Sequence, residues 1–210
     1  MAYNGDLIQL YGSNPSGQNL TVYVNSIVNA LLFRCAYYHV TKDRENVPEF
    51  RDVCSLITYG DDAKSSVHED FPEFNHISVA KFLEERDMKF TMPDKESEPT
   101  PYITDEEADL LKRANVYSED TKLIMGALDE DSIFKSLHAT LKSKALTREQ
   151  QAMQNIDGGL REWFPHGREV YEKRREQMQR VAERADIIHG CSLVHETYDD
   201  RLQKWKEKYE

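Results

Sequence analysis

The feature that most constrains the fold is a tight turn between two short apolar runs. The β-prone run at residues 53–58 is followed by the motif Tyr59-Gly60-Asp61-Asp62 and then by a second run at residues 63–67. Two such runs joined by a turn that contains glycine are typical of a β-hairpin. The sequence therefore predicts an antiparallel strand pair with two adjacent carboxylates at its tip.

A long amphipathic pattern precedes this hairpin. Apolar residues recur at helical spacing and predict one helix over residues 20–38: Leu20, Val24, Ile27, Val28, Leu31, Leu32 and Cys35. A turn cluster at residues 13–17 separates the helix from a short strand predicted at residues 6–12. The helix also carries Thr21, Asn25 and Asn29 at a spacing of four, with Ser26 beside them.

The later elements are shorter. Asn75 is well placed to cap a helix whose apolar residues begin at Ile77. Strands are predicted at residues 89–92 and 108–113, and from Glu130 onward the pattern is helical. The composition changes near residues 115–125, which indicates a boundary between a mixed part and a helical part. The fold class is therefore predicted to be α+β.

Composition argues against several classes of protein. No apolar run approaches the roughly 20 residues that a membrane span needs. The first residues lack the basic and apolar regions of a signal peptide, so we expect neither a span nor a leader. The 3 cysteines are far apart and lack metal-ligand spacing, which favours a reducing, intracellular compartment.

The formal net charge of −11 is unevenly distributed along the chain. Residues 1–130 contain 12 Lys and Arg against 24 Asp and Glu, whereas residues 131–210 contain 15 against 14. Contact with phosphate backbones needs clustered Lys and Arg. The charge argues against a general nucleic-acid binder: a polynucleotide would be held locally, or by a part of the protein outside this chain.

The carboxylates of Asp61 and Asp62 repel each other unless a cation lies between them. Hard divalent ions such as Mg²⁺ take oxygen ligands and accept one or two carboxylates together with waters and phosphates. An ordinary solvated turn is the alternative, and for the dipeptide taken alone it is the better explanation.

The polar face formed by Thr21, Asn25, Ser26 and Asn29 also has two explanations. Polar groups buried without partners are costly, so these side chains face either water or a ligand rich in hydroxyl groups. A solvated stripe is usual on an amphipathic helix. The Ser16-Gly17 loop at the start of the helix and the hairpin that follows favour the ligand.

Three cations lie in segments of interest. Lys95 is flanked by acidic residues in a polar loop, and taken alone it is a surface lysine. Lys112 and Arg113 end the strand predicted at residues 108–113 and are placed to contact a backbone phosphate. Plain solvation is the alternative for both of them.

Four segments, in order, resemble motifs of the viral RNA-directed RNA polymerases of the picornavirus-like group. They are Pro15-Ser16-Gly17 with Thr21, Asn25-Ser26 and Asn29; Tyr59-Gly60-Asp61-Asp62; Pro93-Asp94-Lys95; and Leu110-Leu111-Lys112-Arg113. They are similar to motifs B, C, D and E of the polymerase palm, although Leu20 stands where picornavirus enzymes usually have glycine. The segment at residues 163–167 is similar to the thumb helices that follow the palm.

The resemblance implies a fold. Residues 1–117 would form a partial right-hand polymerase palm, with an antiparallel sheet, packed helices and a ferredoxin-like core. Residues 118–210 would form a helical thumb.

The resemblance also implies a reaction: the 3′-hydroxyl of an RNA attacks the α-phosphorus of a ribonucleoside triphosphate, and pyrophosphate leaves. Asp61 and Asp62 would bind Mg²⁺, or Mn²⁺ in its place, in a site of the two-metal kind. Lys95 would protonate the departing pyrophosphate.

The substrate contacts implied by the resemblance lie on the helix and at the later basic pair. Asn25, supported by Thr21 and Ser26, would recognise the ribose 2′-hydroxyl. Ser16 and Gly17 would form a hinge loop near the template. Lys112 and Arg113 would hold the growing strand through its phosphates.

Two parts of such an enzyme, the motif A strand with its metal-binding aspartate and the basic fingers, would have to precede motif B. Only 14 residues precede Pro15, so we expect the C-terminal portion of a polymerase that is inactive alone. Its partners would be the fingers and remaining palm of the same polyprotein, RNA template and primer, and ribonucleoside triphosphates, in a replication complex in the host cytoplasm. The alternatives are an inactive module that binds RNA or protein and, because Tyr-x-Asp-Asp is shared, a reverse transcriptase.

Overall fold

The structure, a computed structural model, describes residues 2–3, 6–7 and 17–209. Its strands and α-helices, in order, are β1 (Ala2–Tyr3), β2 (Asp6–Leu7), α1 (Thr21–Val40), α2 (Phe50–Val53), β3 (Cys54–Tyr59), β4 (Asp62–Val67), α3 (His76–Glu84), β5 (Arg113–Ser118), β6 (Leu123–Leu128), α4 (Glu130–Leu137), α5 (Arg148–Trp163), α6 (Arg168–Arg184) and α7 (Tyr198–Tyr209). The strands pair antiparallel as β1 with β2, β3 with β4 and β5 with β6. The α+β prediction is confirmed.

The chain divides into two compact units, Met1–Ile103 and Thr104–Glu210. The composition change near residues 115–125 and the palm–thumb boundary after residue 117 that the resemblance implies both lie later in the chain. A division there would cut β5, whose residues pair in register with β6 from Arg113 opposite Leu128 to Ser118 opposite Leu123. The hairpin therefore belongs with the helices that follow it.

The core of the first unit is aromatic. Tyr37 of α1 is fully buried, and its ring meets Phe50, Phe71 and Phe74 at centroid distances of 5.4–6.2 Å. Its hydroxyl donates a hydrogen bond to the carbonyl of Pro48 at 3.0 Å, so the one polar atom of the ring is satisfied. The C-terminal half of α1 is thereby fixed against α2 and the residues before α3.

The predicted helix over residues 20–38 is confirmed as α1, and the predicted hairpin is confirmed as β3 and β4. Asn75 caps α3 as predicted: its side chain accepts from the amide of Ser78 at 3.1 Å, and the Ser78 hydroxyl accepts from the amide of Asn75 at 3.0 Å. This reciprocal capping box satisfies two amides that the helix cannot pair internally.

The core of the second unit forms around Trp163 of α5, which is fully buried. Its indole N–H donates to Oε1 of Glu130 at 2.9 Å, and the guanidinium of Arg174 donates to the same carboxylate from Nε at 3.0 Å. Helices α4, α5 and α6 are joined by these bonds. Short 3₁₀ turns at Ile188–Gly190 and Leu193–His195 then lead to α7.

Two predicted strands are wrong. Residues 89–92 form no strand, because their apolar side chains serve the core instead: the ring of Phe90 lies 5.6 Å from that of Phe33, and Met92 is buried. Residues 108–113 contain only an isolated bridge between Leu110 and Arg113, and the strand begins at Arg113. Of the strand predicted at residues 6–12, Asp6–Leu7 is a strand and the remainder lies outside the described residues.

None of the helices in the described ranges is long and apolar enough to cross a membrane.

Candidate active site

The turn between β3 and β4 has the geometry of a two-residue hairpin loop. Tyr59 and Asp62 are paired across it, and Gly60 has a φ of +64° while Asp61 has no positive φ. A positive φ at the first central position alone is typical of a type II′ turn, which places glycine there. A Cβ on Gly60 would meet nothing within 4 Å, so the torsion, and not lack of space, requires glycine.

Ser26 of α1 fixes this turn through hydrogen bonds to Gly60 and Thr58. Its hydroxyl donates to the carbonyl of Val22 at 2.6 Å and accepts from the amide of Gly60 at 2.8 Å. Its backbone carbonyl accepts from the hydroxyl of Thr58 at 3.1 Å. Since Gly60 is buried, the hydroxyl of Ser26 satisfies an amide that water does not reach freely.

Asn29, one helical turn further along α1, makes the second attachment. Its Nδ2 atom lies 2.9 Å from the carbonyl oxygen of Asp61 and 3.4 Å from those of Gly60 and Asp62. Three successive carbonyls of the turn thus converge on one amide group. The backbone that carries both aspartates is held to α1 at two points.

The carboxylates of Asp61 and Asp62 are exposed at this fixed turn. Two oxygen-donor side chains on a held backbone suit a hard divalent cation, which accepts one or two carboxylates and completes its shell with water and phosphate oxygens. No group of three or more His, Cys, Asp or Glu side chains within the described ranges comes together to hold a metal ion. The metal-binding role predicted for Asp61 and Asp62 stays a prediction.

The remaining predicted residues of motif B lie at the start of α1. Thr21 and Asn25 are half-buried, and each has an interaction partner. Gly17 has a φ of +85°, which suits a flexible turn before the helix, and Ser16 lies outside the described residues. The ribose-reading role predicted for Asn25 stays a prediction.

Lys95 lies in an exposed turn with a φ of +65°. The turn is organised by Asp94, whose carboxylate accepts from the hydroxyl and amide of Ser97 and from the amide of Glu96. The hydroxyl bond from Ser97 and these amide bonds lower the pKa of Asp94. The general-acid role predicted for Lys95 also stays a prediction.

Lys112 and Arg113, in the second unit, differ in their surroundings. Leu111 and Lys112 have φ values of +55° and +59° and form a two-residue turn closed by bonds of 3.0 and 3.1 Å between the backbones of Leu110 and Arg113. Lys112 is exposed at this turn. The Arg113 guanidinium donates to both carboxylate oxygens of Glu162, at 2.7 and 2.9 Å, and this bonding raises the pKa of Arg113.

Sequence reasoning missed two features of the site. The hydroxyl of Ser26 supports the turn from within the helix, and Asn29 was noted on the polar face but given no role of its own. The signal was present, because Ser26 and Asn29 are three residues apart and so lie on one helix face. Nothing in the sequence paired Arg113 with Glu162, which is 49 residues away.

Comparison with known proteins places this geometry in a family. A family profile described as viral RNA-dependent RNA polymerase matches residues 1–184. The chain is 25% identical over 186 residues to the replicase polyprotein of Cricket paralysis virus, covering 86% of the chain and 10% of the polyprotein. It is 31% identical over 175 residues to the RNA1 polyprotein of Cowpea mosaic virus, covering 80% and 9%.

The fold is similar to that of a solved RNA-dependent RNA polymerase from a Sicinivirus. The TM-score is 0.61 at 16% sequence identity, with 87% of this chain and 36% of the solved chain covered. The chain thus spans about a third of that polymerase and about a tenth of the curated polyproteins it matches. The chain belongs to the viral RNA-dependent RNA polymerases of picornavirus-like viruses.

Proposed function

We propose that the chain carries part of the catalytic centre of an RNA-directed RNA polymerase that joins ribonucleotides to an RNA 3′-hydroxyl on an RNA template. The observation that carries the proposal is the type II′ turn at Gly60, which presents Asp61 and Asp62 on a backbone held by Ser26 and Asn29. Carboxylates on a fixed backbone can bind the divalent cations that assist phosphoryl transfer.

Asp61 and Asp62 would hold Mg²⁺, or Mn²⁺ in its place. When bound, such ions neutralise charge on the phosphates and steady the attacking and departing oxygens. This chain would contribute by positioning the carboxylates. Ser26 and Asn29 of α1 hold the backbone of the turn in place, and the carboxylates on that turn are exposed. The rest of the metal shell would come from polymerase sequence beyond the part that this chain spans.

Substrate contacts follow from the family motifs. Asn25, with Thr21 beside it, is proposed to read the ribose 2′-hydroxyl. Lys95, exposed in its turn, is proposed to protonate the leaving pyrophosphate. Lys112 is the better candidate of the basic pair for a phosphate of the growing strand, because the fork of Arg113 is already bonded to Glu162.

The same proposal assigns the architecture and the cellular setting. Residues 1–117 would belong to the palm, with a ferredoxin-like core that further strands complete, and residues 118–210 to the thumb, so the palm would take in the unit Met1–Ile103 and the first part of the unit Thr104–Glu210. The partners would be the remaining fingers and palm of the polyprotein, RNA template and primer, and ribonucleoside triphosphates. The setting would be a replication complex in the host cytoplasm.

Binding of Mn²⁺ tests the metal role on the chain itself. We expect Mn²⁺ to broaden the amide signal of Gly60 in NMR spectra of the chain, and we expect Asp61→Asn to abolish the effect, because the amide side chain keeps the shape and loses the charge. Asp43→Asn, which changes another exposed aspartate of the same unit, serves as the control. Equal broadening in Asp61→Asn and the unchanged chain would show that Asp61 does not hold the metal at the turn.

Primer extension tests the reaction in the polymerase completed with the remaining sequence of its own genome. Asp61→Asn should lower extension by about 100-fold or more, since even residues that only orient metal ligands are worth about 10–100-fold. If the completed protein binds RNA but extends no primer, the polymerase proposal is wrong and the alternative of an inactive binding module is favoured.

A further inference from the structure

The loop that carries Lys95 is attached to the first unit at both of its ends. Upstream, Met92 is buried, and its carbonyl accepts from the amide of Lys95 at 2.9 Å. Downstream, the hydroxyl of Tyr102 donates to the carbonyl of Phe74 at 3.1 Å. Residues 93–101, between these attachments, are exposed. The conformation of this short exposed stretch therefore sets the place of the Lys95 ammonium.

One side chain holds the backbone of this stretch. The carboxylate of Asp94 accepts from the amides of Glu96 and Ser97 at 3.1 and 3.0 Å, and it also accepts from the hydroxyl of Ser97. Among the residues that the structure describes, no other side chain hydrogen-bonds to the backbone of residues 93–100. The turn around Lys95 therefore depends on the carboxylate of Asp94.

The backbone of Lys95 needs this support. Its φ of +65° lies in the left-handed region, which few residues other than glycine, asparagine and aspartate adopt. The last two of these stabilise it with a short polar side chain that bonds locally, and lysine has no such side chain. The bonds from the amides of Glu96 and Ser97 to Asp94 close the turn in which Lys95 keeps this conformation.

The ammonium of Lys95 stays available at this turn. Lys95 is exposed, and within the described ranges it forms no ion pair, although Asp94 and Glu96 are its neighbours in the chain. The carboxylate of Asp94 is bonded to two amides and a hydroxyl instead. Asp94 thus acts on the backbone around Lys95 and does not serve as its counter-ion.

We propose that Asp94 is a positioning residue for nucleotide addition, because its hydrogen bonds hold the turn from which Lys95 protonates the leaving pyrophosphate. The inference rests on the proposed function for the role of Lys95. In that step one ammonium proton of Lys95 passes to the departing oxygen and leaves an amine, while Asp94 neither gains nor loses a proton. A general acid acts only within hydrogen-bond reach of the atom that it protonates, so a displaced turn slows the step.

The first test measures NMR order parameters of the backbone amides of Lys95 and Glu96 in the chain itself. We expect values near about 0.85, as in rigid backbone, and a fall below about 0.6 in Asp94→Ala. Asp94→Asn should keep the turn ordered, because the oxygen of its side-chain amide still accepts from the backbone. The matched control is Glu98→Ala, which removes another exposed carboxylate of the same loop and should leave the order parameters unchanged.

The second test measures single-turnover nucleotide addition by the polymerase completed with the remaining sequence of its own genome. Lys95→Leu should lower the maximal rate by about 100-fold or more. Asp94→Ala should lower it by about tenfold to 100-fold and leave the apparent Kd of the nucleotide unchanged. Asp94→Asn should recover most of the rate, and Glu98→Ala should not change it. Recovery by the uncharged asparagine separates positioning through hydrogen bonds from an effect of the carboxylate charge on Lys95.

A double variant shows whether Asp94 acts through Lys95. If it does, Asp94→Ala/Lys95→Leu should add nucleotides no more slowly than Lys95→Leu alone, because the turn no longer has an ammonium to position. A double variant that is about tenfold slower than Lys95→Leu would overturn the proposal, since Asp94 would then act independently of Lys95.

The remaining outcomes separate this inference from the proposed function. A slow Lys95→Leu together with a normal Asp94→Ala would overturn the positioning role alone. Order parameters that do not change in Asp94→Ala would overturn it as well, because the turn would then hold its shape without the carboxylate. Normal addition by Lys95→Leu would show instead that the proposed role of Lys95 is wrong, and the positioning role with it.

Discussion

Ser26 and Asn29 show how single side chains of a helix position a turn that lies more than 30 residues further along the chain. Each uses a group that the helix itself does not need: the hydroxyl of Ser26 accepts from Gly60, and the amide of Asn29 donates to the carbonyl of Asp61. Both contacts are to backbone atoms, so they fix the turn and leave the carboxylates free for chemistry.

Ser26→Ala should loosen the turn. The substitution leaves the buried amide of Gly60 without an acceptor, and such an amide costs about 1–3 kcal/mol. We therefore expect hydrogen exchange at Gly60 to become about tenfold faster or more. Ser66→Ala, on the same hairpin and exposed, should leave the rate unchanged. If Gly60 exchanges at the same rate in both variants, Ser26 does not hold the turn.

At the scale of elements, α1 carries large apolar side chains outside its packed face as well as on it. Phe33, Ala36 and Tyr37 are buried, yet Leu20 at the N-cap and Tyr23, Ile27 and Leu31 within the helix are 55–65% exposed. Exposed apolar patches of this kind mark surfaces at which proteins associate. In this chain the exposed side of α1 meets solvent, and a surface of that kind favours self-association.

Ile27→Gln/Leu31→Gln should therefore make the chain more soluble without making it less stable. Substitutions at exposed positions are usually within about 0.5 kcal/mol of neutral, whereas removal of a buried aromatic such as Phe33 costs about 3–5 kcal/mol. Light scattering at rising protein concentration should fall in the double variant, with the midpoint of urea unfolding unchanged. Unchanged scattering would mean that the exposed side of α1 does not drive association.

The elements also show what the sequence could predict and what it could not. The β3–β4 hairpin was predictable because Gly60 marks its turn and apolar runs flank it, and α3 was predictable because Asn75 caps it. The β5–β6 hairpin was missed: the preceding turn uses Leu111 and Lys112, residues that seldom adopt a positive φ. Residues 89–92 have the composition of a strand, but the position of Phe90 beside Phe33 depends on tertiary packing.

The candidate site was predictable to a similar extent. The position of Asp61 and Asp62 at a turn followed from local sequence, whereas the attachment of that turn to α1 depends on contacts between distant segments. The ion pair between Arg113 and Glu162 likewise joins segments that are distant in sequence. Short-range patterns specify turns and caps, and only the folded chain shows which side chains support them.

At the scale of the whole molecule, each of the two units has a core of its own. The second core depends on one carboxylate, because Glu130 accepts from both the indole of Trp163 and the guanidinium of Arg174. Both tryptophans of the chain, Trp163 and Trp205, lie in this unit. Tryptophan fluorescence therefore reports on the second unit specifically.

Glu130→Ala should destabilise the second unit by about 1–3 kcal/mol, since a half-buried guanidinium and a buried indole N–H lose their acceptor together. Urea unfolding followed by tryptophan fluorescence should show a lower midpoint. Asp131→Ala, at the exposed neighbouring position, is the control and should leave the midpoint in place. Equal midpoints for the two variants would show that Glu130 contributes little to this core.

The double attachment of the turn also has a mechanical consequence. Ser26 and Asn29 lie within a single turn of one helix, so a rotation of α1 by one residue, about 100°, would carry both of them away from the hairpin at once. The hydrogen bonds of Ser26 and Asn29 to the turn are therefore kept together or lost together. A movement that changes the shape of the aspartate turn must either move α1 as a rigid helix or break the hydrogen bonds of both Ser26 and Asn29.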